Sequence, residues 1–293
     1  MTGKHLAIAI PASIIADTPH LREKTSKIGS IGRAAAIFRV REIIVYADTP
    51  KADQNLDLEL IAELLRYIET PQYLRKRLFQ IKPELQYAGI LPPLRTPHHP
   101  LTGKIKDLHI GDFREGIAVS KTKEGTIVDI GSEHSAFLRG EAVLNKRFTV
   151  KITKLSDHVE VQEVNREEIN EYWGYNVSVE KATLSKIAKS RNSDLTIATS
   201  KFATRLQDAV QALAARWAKA NRILIIFGAP TRGLFEIAKD EGTNLNDLAD
   251  FVLNTVPNQG TETVRTEEAL LATLAIFNLE FGSSDQSSFF SHK

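Results

Sequence analysis

Three short stretches carry residue types that hold small ligands largely through the main chain: Thr199-Ser200-Lys201, Gly228-Ala229-Pro230-Thr231-Arg232-Gly233 and Asn254-Thr255-Val256-Pro257-Asn258-Gln259-Gly260. Each follows an apolar run, and in open α/β sheets ligands bind beyond the carboxyl ends of the strands. Glycine at both ends of the second stretch lets its backbone approach a ligand closely. Glycine after a strand is also an ordinary turn former, so each stretch taken singly reads equally well as structure. None is a GxGxxG fingerprint, and no Gly-Lys-Ser/Thr follows Phe227, which excludes the standard phosphate cradles. HExxH and GxSxG are absent as well. His98 and His99 are adjacent, so their side chains are expected to diverge, and no third ligand stands at metal spacing. A metal site is therefore not expected. Glu267 and Glu268 follow Thr266 at a helix start, where carboxylates complement the helix dipole. Arg265, just outside that helix, is the freer residue, and Arg75-Lys76-Arg77 is a basic run preceding a proline-rich stretch.

The elements that position these residues alternate between strand and helix at both ends of the chain. Leu6–Pro11 and Glu42–Ala47 are continuous apolar runs, as buried parallel strands require. Between them, residues 21–40 place Ile28, Ile31, Ala35 and Phe38 on one helical face and Arg33 roughly opposite. Leu56–Ile68 is a second amphipathic helix, and Thr70-Pro71 opens a third that carries Arg75, Lys76 and Arg77. Leu91–Pro100, with its prolines, reads as a linker. Five short alternating runs follow: Phe113–Thr122, Thr126–Gly131, Ser135–Arg139, Arg147–Leu155 and Val159–Val164. Their spacing predicts a small barrel, OB-like being the leading choice. On the fourth run, Arg147, Thr149 and Lys151 are expected on a solvated face, an RNA-facing one if the barrel is OB-like. The α/β texture resumes with strands at Trp173–Val179, Asp194–Thr199, Ile223–Phe227 and Leu248–Leu253, and helices at Leu206–Lys219 and from Glu267 to about Leu279.

Composition narrows the function classes. The 293 residues are 42% hydrophobic and 25% charged, with 38 Lys plus Arg against 36 Asp plus Glu, a net charge of +2. That is globular rather than disordered or polybasic, although it leaves local basic patches open. With no cysteine, disulfides, thiolate metal sites and cysteine nucleophiles are excluded. The apolar run at Leu6–Ala12 is too short to span a bilayer, so no membrane association is expected and a cytoplasmic location is.

The order of the segments IAIPASII, IGRAAAIFRVREIIVY, TPQYLRKRLF, ELQYAGILPPLRTPHH, FREGIAV, YWGYNV, DLTIATS, IIFGAP and NTVPNQGTETVRTEEA resembles the SPOUT (α/β-knot) methyltransferase superfamily. The similar branch is the archaeal and eukaryotic group of RNA methyltransferases with an OB-like insertion, and the resemblance covers the chain except for its final tail. It implies a discontinuous, trefoil-knotted α/β methyltransferase domain (residues 1–92 and 168–281) and an inserted OB-like β-barrel (93–167); the Ser-rich composition of the tail (282–293) marks it as flexible. It also implies S-adenosylmethionine bound in a bent conformation by the three stretches, with contacts carried onto Thr199, Ser200, Gly228, Asn254, Thr255, Pro257, Asn258 and Gly260. A homodimer with active sites at the subunit interface is implied too, and Arg33 matches an arginine brought to the substrate side. Two departures stand out. Lys201-Phe202-Ala203 replaces the acidic residue, Arg and Gly of relatives, and Asn258-Gln259-Gly260 replaces Gly-Gln-Gly.

The activity implied is methyl transfer to RNA, ribosomal RNA first, directly onto a base such as uridine N3 or onto a ribose. Arg33 and Arg265 are the residues expected to stabilise or position the target nucleotide. Arginine is always charged, so neither accepts a proton, and no general base is evident. Arg75, Lys76, Arg77, Arg147 and Lys151 are expected to grip RNA. Two other readings stay open: an RNA-binding protein with a non-catalytic knot, and methylation of a protein arginine.

Overall fold

The apolar runs at both ends of the chain form one parallel sheet, because neither can bury its two faces alone. A computed structural model describes residues 4–49, 51–156, 158–190 and 192–282; apart from Gly282, the Ser-rich tail lies outside them. The chain divides into two compact units, Met1–Ile68 with Glu84–Pro92 and Tyr175–Lys293, and Glu69–Pro83 with Pro93–Gly174.

In the first unit the elements are β1 (His5–Pro11), α1 (Leu21–Ile37), β2 (Glu42–Tyr46) and α2 (Asn55–Glu69), whose last residue belongs to the second unit. The second unit contains α3 (Gln72–Leu78), β3 (Phe113–Lys121), β4 (Gly125–Asp129), β5 (Ala136–Arg139), β6 (Arg147–Leu155) and β7 (Val159–Glu163). The first unit then resumes with β8 (Asn176–Glu180), α4 (Leu184–Ser190), β9 (Leu195–Arg205), α5 (Leu206–Lys219), β10 (Arg222–Ile226), α6 (Leu234–Asp240), β11 (Phe251–Asn254) and α7 (Thr266–Phe281).

The sheet order is β11-β9-β10-β1-β2-β8, with every neighbouring pair parallel. Side chains alternate across a strand. Ala7 and Ala9 of β1 therefore join Leu184, Ile187, Leu234 and Ile237 from α4 and α6 in one cluster. Ile8 and Ile10 point to the other face and are fully buried as well. α7 packs on α1 and α5, with Trp217 and Phe277 rings 5.5 Å apart. α1 comes close to its surroundings at Gly32, where a Cβ would stand 2.7 Å from the Tyr175 hydroxyl.

The second unit's strands close a barrel in the order β3-β4-β5-β7-β6. All its pairs are antiparallel except β5 with β7. Its interior holds Ala118, Val128, Leu138, Val150, Ile152 and Val161, among others. No helix among the described residues is long and apolar enough to cross a membrane.

Several boundaries differ from expectation. The strand predicted from Trp173 begins at Asn176, because Gly174 at φ +83° turns the chain first. The last strand begins at Phe251 rather than Leu248, after a 3-10 turn at Leu245–Asp247. The short helices α4 and α6 have too few turns to show a period. The proline-rich stretch is no loose linker: Leu94 and His98 are buried.

Candidate functional site

The carboxyl ends of β9, β10 and β11 open onto a cleft of about 370 Å³, within the size range of small-ligand sites, roughly 300–1,000 Å³. Its first wall comes from an interruption in a ladder. β9 pairs with β11 at Ala198↔Val252, and the next pair is Thr204↔Leu253. Residues 199–203 of β9 thus bulge out of the ladder, and the register with β11 shifts across them. The Thr199 hydroxyl donates to the Ile226 carbonyl at 3.1 Å, and the Asn254 amide donates to the Lys201 carbonyl at 2.9 Å.

The second wall runs from Phe227 to Glu236. The Ala229 amide donates to the Arg232 carbonyl at 3.0 Å, and the Gly233 amide donates to Glu236 at 3.2 Å. At Gly228 a Cβ would meet the Leu234 nitrogen at 3.1 Å and the Arg232 oxygen at 3.3 Å. Arg232 anchors this wall from behind. Its guanidinium donates to the Asp48 carbonyl at 3.2 Å and the Thr49 hydroxyl at 2.9 Å, and pairs with Asp240. Asp48 is itself fully buried and accepts from Ser13 N at 3.0 Å, Ser13 Oγ at 2.6 Å and Gln54 Nε2 at 3.0 Å. The Tyr46 hydroxyl donates to the Phe227 carbonyl at 3.3 Å. Burial, then the charges of Asp48 and Glu241, push its pKa well above the ordinary phenol value and keep that donor protonated.

The third wall is the segment after β11. Thr255 and Thr273 share a buried hydrogen bond of 2.7 Å, and Asn254 Oδ1 accepts from Val256 N at 3.1 Å. The Thr266 hydroxyl donates to the Gly228 carbonyl at 2.8 Å and so joins the third wall to the second. Thr266 is the first residue of α7, and Arg265 stands at the cap position. Glu268 accepts from Arg265 N at 2.9 Å, and Glu267 lies 3.7 Å from the nearly buried Lys27, so both carboxylates hold structure.

Thr199, Ser200, Gly228, Asn254 and Thr255 line the cleft; Pro257, Asn258 and Gly260 do not, while Gln259 does. Sequence reasoning missed Phe202, the start of α6 at Leu234–Glu236, and Thr263, Val264 and Ala269. Arg265 is exposed between lining residues Val264 and Thr266, whereas Arg33 is half-buried on α1 and outside the lining. Among the described residues that line the cleft, Lys201 and Glu236 carry charge, and Glu236 is engaged by Gly233. Such a lining suits hydrogen-bonded positioning of a ligand rather than acid–base chemistry.

The expected RNA-contact residues are distributed differently. Lys76 and Lys151 are exposed, and Lys151 stands 5.8 Å over the Phe113 ring. Arg77 is exposed but 3.1 Å from Asp129, and Arg75 donates to the Thr70 carbonyl at 2.8 Å. Arg147 requires a correction. It lies not on a solvated face but between two buried carboxylates, 2.6 Å from Glu69 and 2.5 Å from Glu115. Thr149, directly across the ladder from Glu115, is buried and donates to it at 2.8 Å. Trp173 Nε1 donates to Glu115 at 2.5 Å, and Arg166 lies 2.9 Å from Glu69. Burial works to raise the Glu69 carboxyl, but Arg147, His98 and Arg166 outweigh it and hold it far below the ordinary carboxylate range. The two histidines do not diverge either: both Nε2 atoms meet the Glu69 carbonyl, at 3.0 and 2.8 Å. Burial, reinforced by His98, pushes the His99 pKa down to about 3. Among the described residues no cluster of His, Cys, Asp and Glu could hold a metal ion.

A parallel α/β sheet with a ligand cleft at its carboxyl edge, together with a closed five-stranded barrel, defines the class. A family model described as "Putative RNA methyltransferase" matches residues 5–277, and the chain belongs to that RNA methyltransferase family. It is 32% identical over 304 residues to a 28S rRNA (uridine-N(3))-methyltransferase of Drosophila melanogaster, covering 92% of this chain and 61% of the fly protein. The mouse protein of the same name is 33% identical, over 92% of this chain and 75% of its own length. An uncharacterised protein of Haloarcula marismortui is 33% identical, over 93% of this chain and 98% of its own.

Proposed function

We propose that this chain is an S-adenosylmethionine-dependent methyltransferase of ribosomal RNA that methylates a uridine at N3. The observation that carries the reading is the cleft, bounded by three loops at the carboxyl ends of β9, β10 and β11. The size and largely uncharged, hydrogen-bonding lining of the cleft fit S-adenosylmethionine, with Thr199, Ser200, Gly228, Asn254 and Thr255 holding it. Pro257, Asn258 and Gly260 would shape the third loop. The acceptor atom comes from the relatives named as 28S rRNA (uridine-N(3))-methyltransferases. The SPOUT, trefoil-knotted reading of the first unit is supported by the return of the chain after β11 past Gly228 to pack α7 on α1. The barrel order, with its single parallel pair, supports an OB-like module. A homodimer and a cytoplasmic location complete the proposal.

When bound, S-adenosylmethionine supplies an electrophilic methyl group on a sulfonium. The cleft's contribution is alignment of N3 with that methyl, and such positioning supplies about 7–11 kcal/mol in favourable cases. The N3 proton passes to solvent before the new bond forms, which leaves a uridine anion as the nucleophile. Arg265 at the cleft's edge would stabilise the resulting anion; Arg33 would act only through a substrate that reaches α1. Calorimetry with S-adenosylmethionine, followed by transfer of labelled methyl to ribosomal RNA, tests the proposal. No binding at millimolar ligand overturns it. Transfer unaffected by Arg265→Ala removes that residue's role.

A further inference from the structure

The acceptor base must enter through the mouth of the cleft, and one apolar side chain stands there in water. Phe202 lines the cleft and is 79% exposed. A single exposed apolar residue is ordinary on a protein surface, but the peptide that leads into this one is held at both its carbonyl and its amide. Its own amide donates to Ser200 Oγ at 3.3 Å, and the preceding carbonyl, of Lys201, accepts from Asn254 at 2.9 Å. The Lys201 ammonium stands 5.1 Å from the ring centroid and donates to the Glu262 carbonyl at 3.1 Å, across the cleft. A cation above one side of a preorganised ring leaves the rest of the ring available. Aromatic surface paired with a positive charge is the combination that binds a stacked base and its phosphate.

We propose that Phe202 is the platform on which the acceptor pyrimidine stacks, with Lys201 receiving an adjoining phosphate. This deepens the methyltransferase reading and rests on it. It also gives the Lys201-Phe202 departure a purpose: these two positions meet the substrate, while Thr199 and Ser200 face the methyl donor. Phe202 acts as a positioning residue for the base.

The test is fluorescence anisotropy of labelled oligouridylate, and of a base-free oligomer of the same phosphodiester backbone, with the intact protein. Phe202→Ala is expected to weaken oligouridylate binding about ten-fold. Its affinities for the base-free oligomer and, by calorimetry, for S-adenosylmethionine should match the unaltered protein, and Phe202→Tyr should restore oligouridylate binding. Unchanged oligouridylate affinity in Phe202→Ala overturns the proposal, as does an equal loss for the base-free oligomer. A lighter species of Phe202→Ala in sedimentation also overturns it, because the ring would then be covered by a second copy of the chain. If the unaltered protein binds neither S-adenosylmethionine nor oligouridylate, the methyltransferase reading falls and takes this inference with it. If it binds both and Phe202→Ala changes nothing, only the stacking platform falls.

Discussion

Replacing Arg147 with methionine separates a structural arginine from an RNA-binding one. The guanidinium contacts Glu69 and Glu115, whose side chains are 6% and 2% exposed, and its own side chain is 18% exposed. Removing it leaves two carboxylates buried with reduced compensation. Breaking a buried pair in this way costs about 3–5 kcal/mol. For a unit of about 100 residues each kcal/mol shifts the midpoint by roughly 4–8 °C, so the second unit should melt more than about 10 °C lower. Trp173, bonded to Glu115, reports that transition by fluorescence. The pH dependence carries a sign. With Arg147 present, Glu69 is held below its unfolded pKa, so its contribution is complete above about pH 5 and fades as pH falls below about 4.3. Without Arg147, burial of Glu69 is opposed only by His98 and Arg166, so its pKa rises and protonation relieves the variant as pH falls. The gap between the two proteins should therefore narrow in acid. A variant that melts normally but loses RNA affinity would refute this account and return Arg147 to the RNA-facing role expected from sequence.

His99, held neutral with its pKa near 3, should make the second unit acid-sensitive. The unfolded chain takes up a proton below about pH 6.5, so stability is full above that pH and falls by up to about 1.4 kcal/mol per unit towards pH 3. His99→Gln should flatten the melting temperature between pH 6.5 and 4, and an unchanged slope would sink the assignment. Thr266→Val removes the donor to Gly228. It should weaken S-adenosylmethionine binding roughly five-fold by releasing the second wall, and equal affinity in calorimetry would count against that. Gly32→Ala places a methyl 2.7 Å from the Tyr175 hydroxyl. Overpacking of this kind costs about 1–3 kcal/mol, more than the helix gains from alanine, so its urea midpoint should fall; a rise would show that Tyr175 yields.

Sequence reading reached the parallel sheet because β1, β2 and β10 are apolar on both faces, and it reached the barrel because its strands alternate and its turns are short. It found the three cleft walls by their place after strands. It missed Phe202 because the interruption between Ala198 and Thr204 has no periodic signature; only the register of β11 reveals it. Alternation put Arg147, Thr149 and Lys151 on one face correctly, but it could not show that Glu69 and Glu115 engage Arg147 or that Thr149 is buried. The histidines converge because the Thr96–His99 turn, closed by His99 N to Thr96 O at 2.8 Å, is not a strand. Adjacent side chains diverge only when the backbone is extended. Asp48 gave no signal, since its role depends on Arg232, a residue distant in sequence.

The bulged segment between Ala198 and Thr204 also bears on the order in which the molecule is made. Its ends are fixed only when β11 joins β9, and β10 lies between β9 and β1 in the finished sheet. The barrel strands are close in sequence and can close while later residues are still being synthesised, since local contacts form first. The cleft has no such early form, because its last tie, from Thr266, comes near the end of the described chain. A ligand that binds there stabilises the finished sheet alone, and its binding reports that the whole first unit has folded.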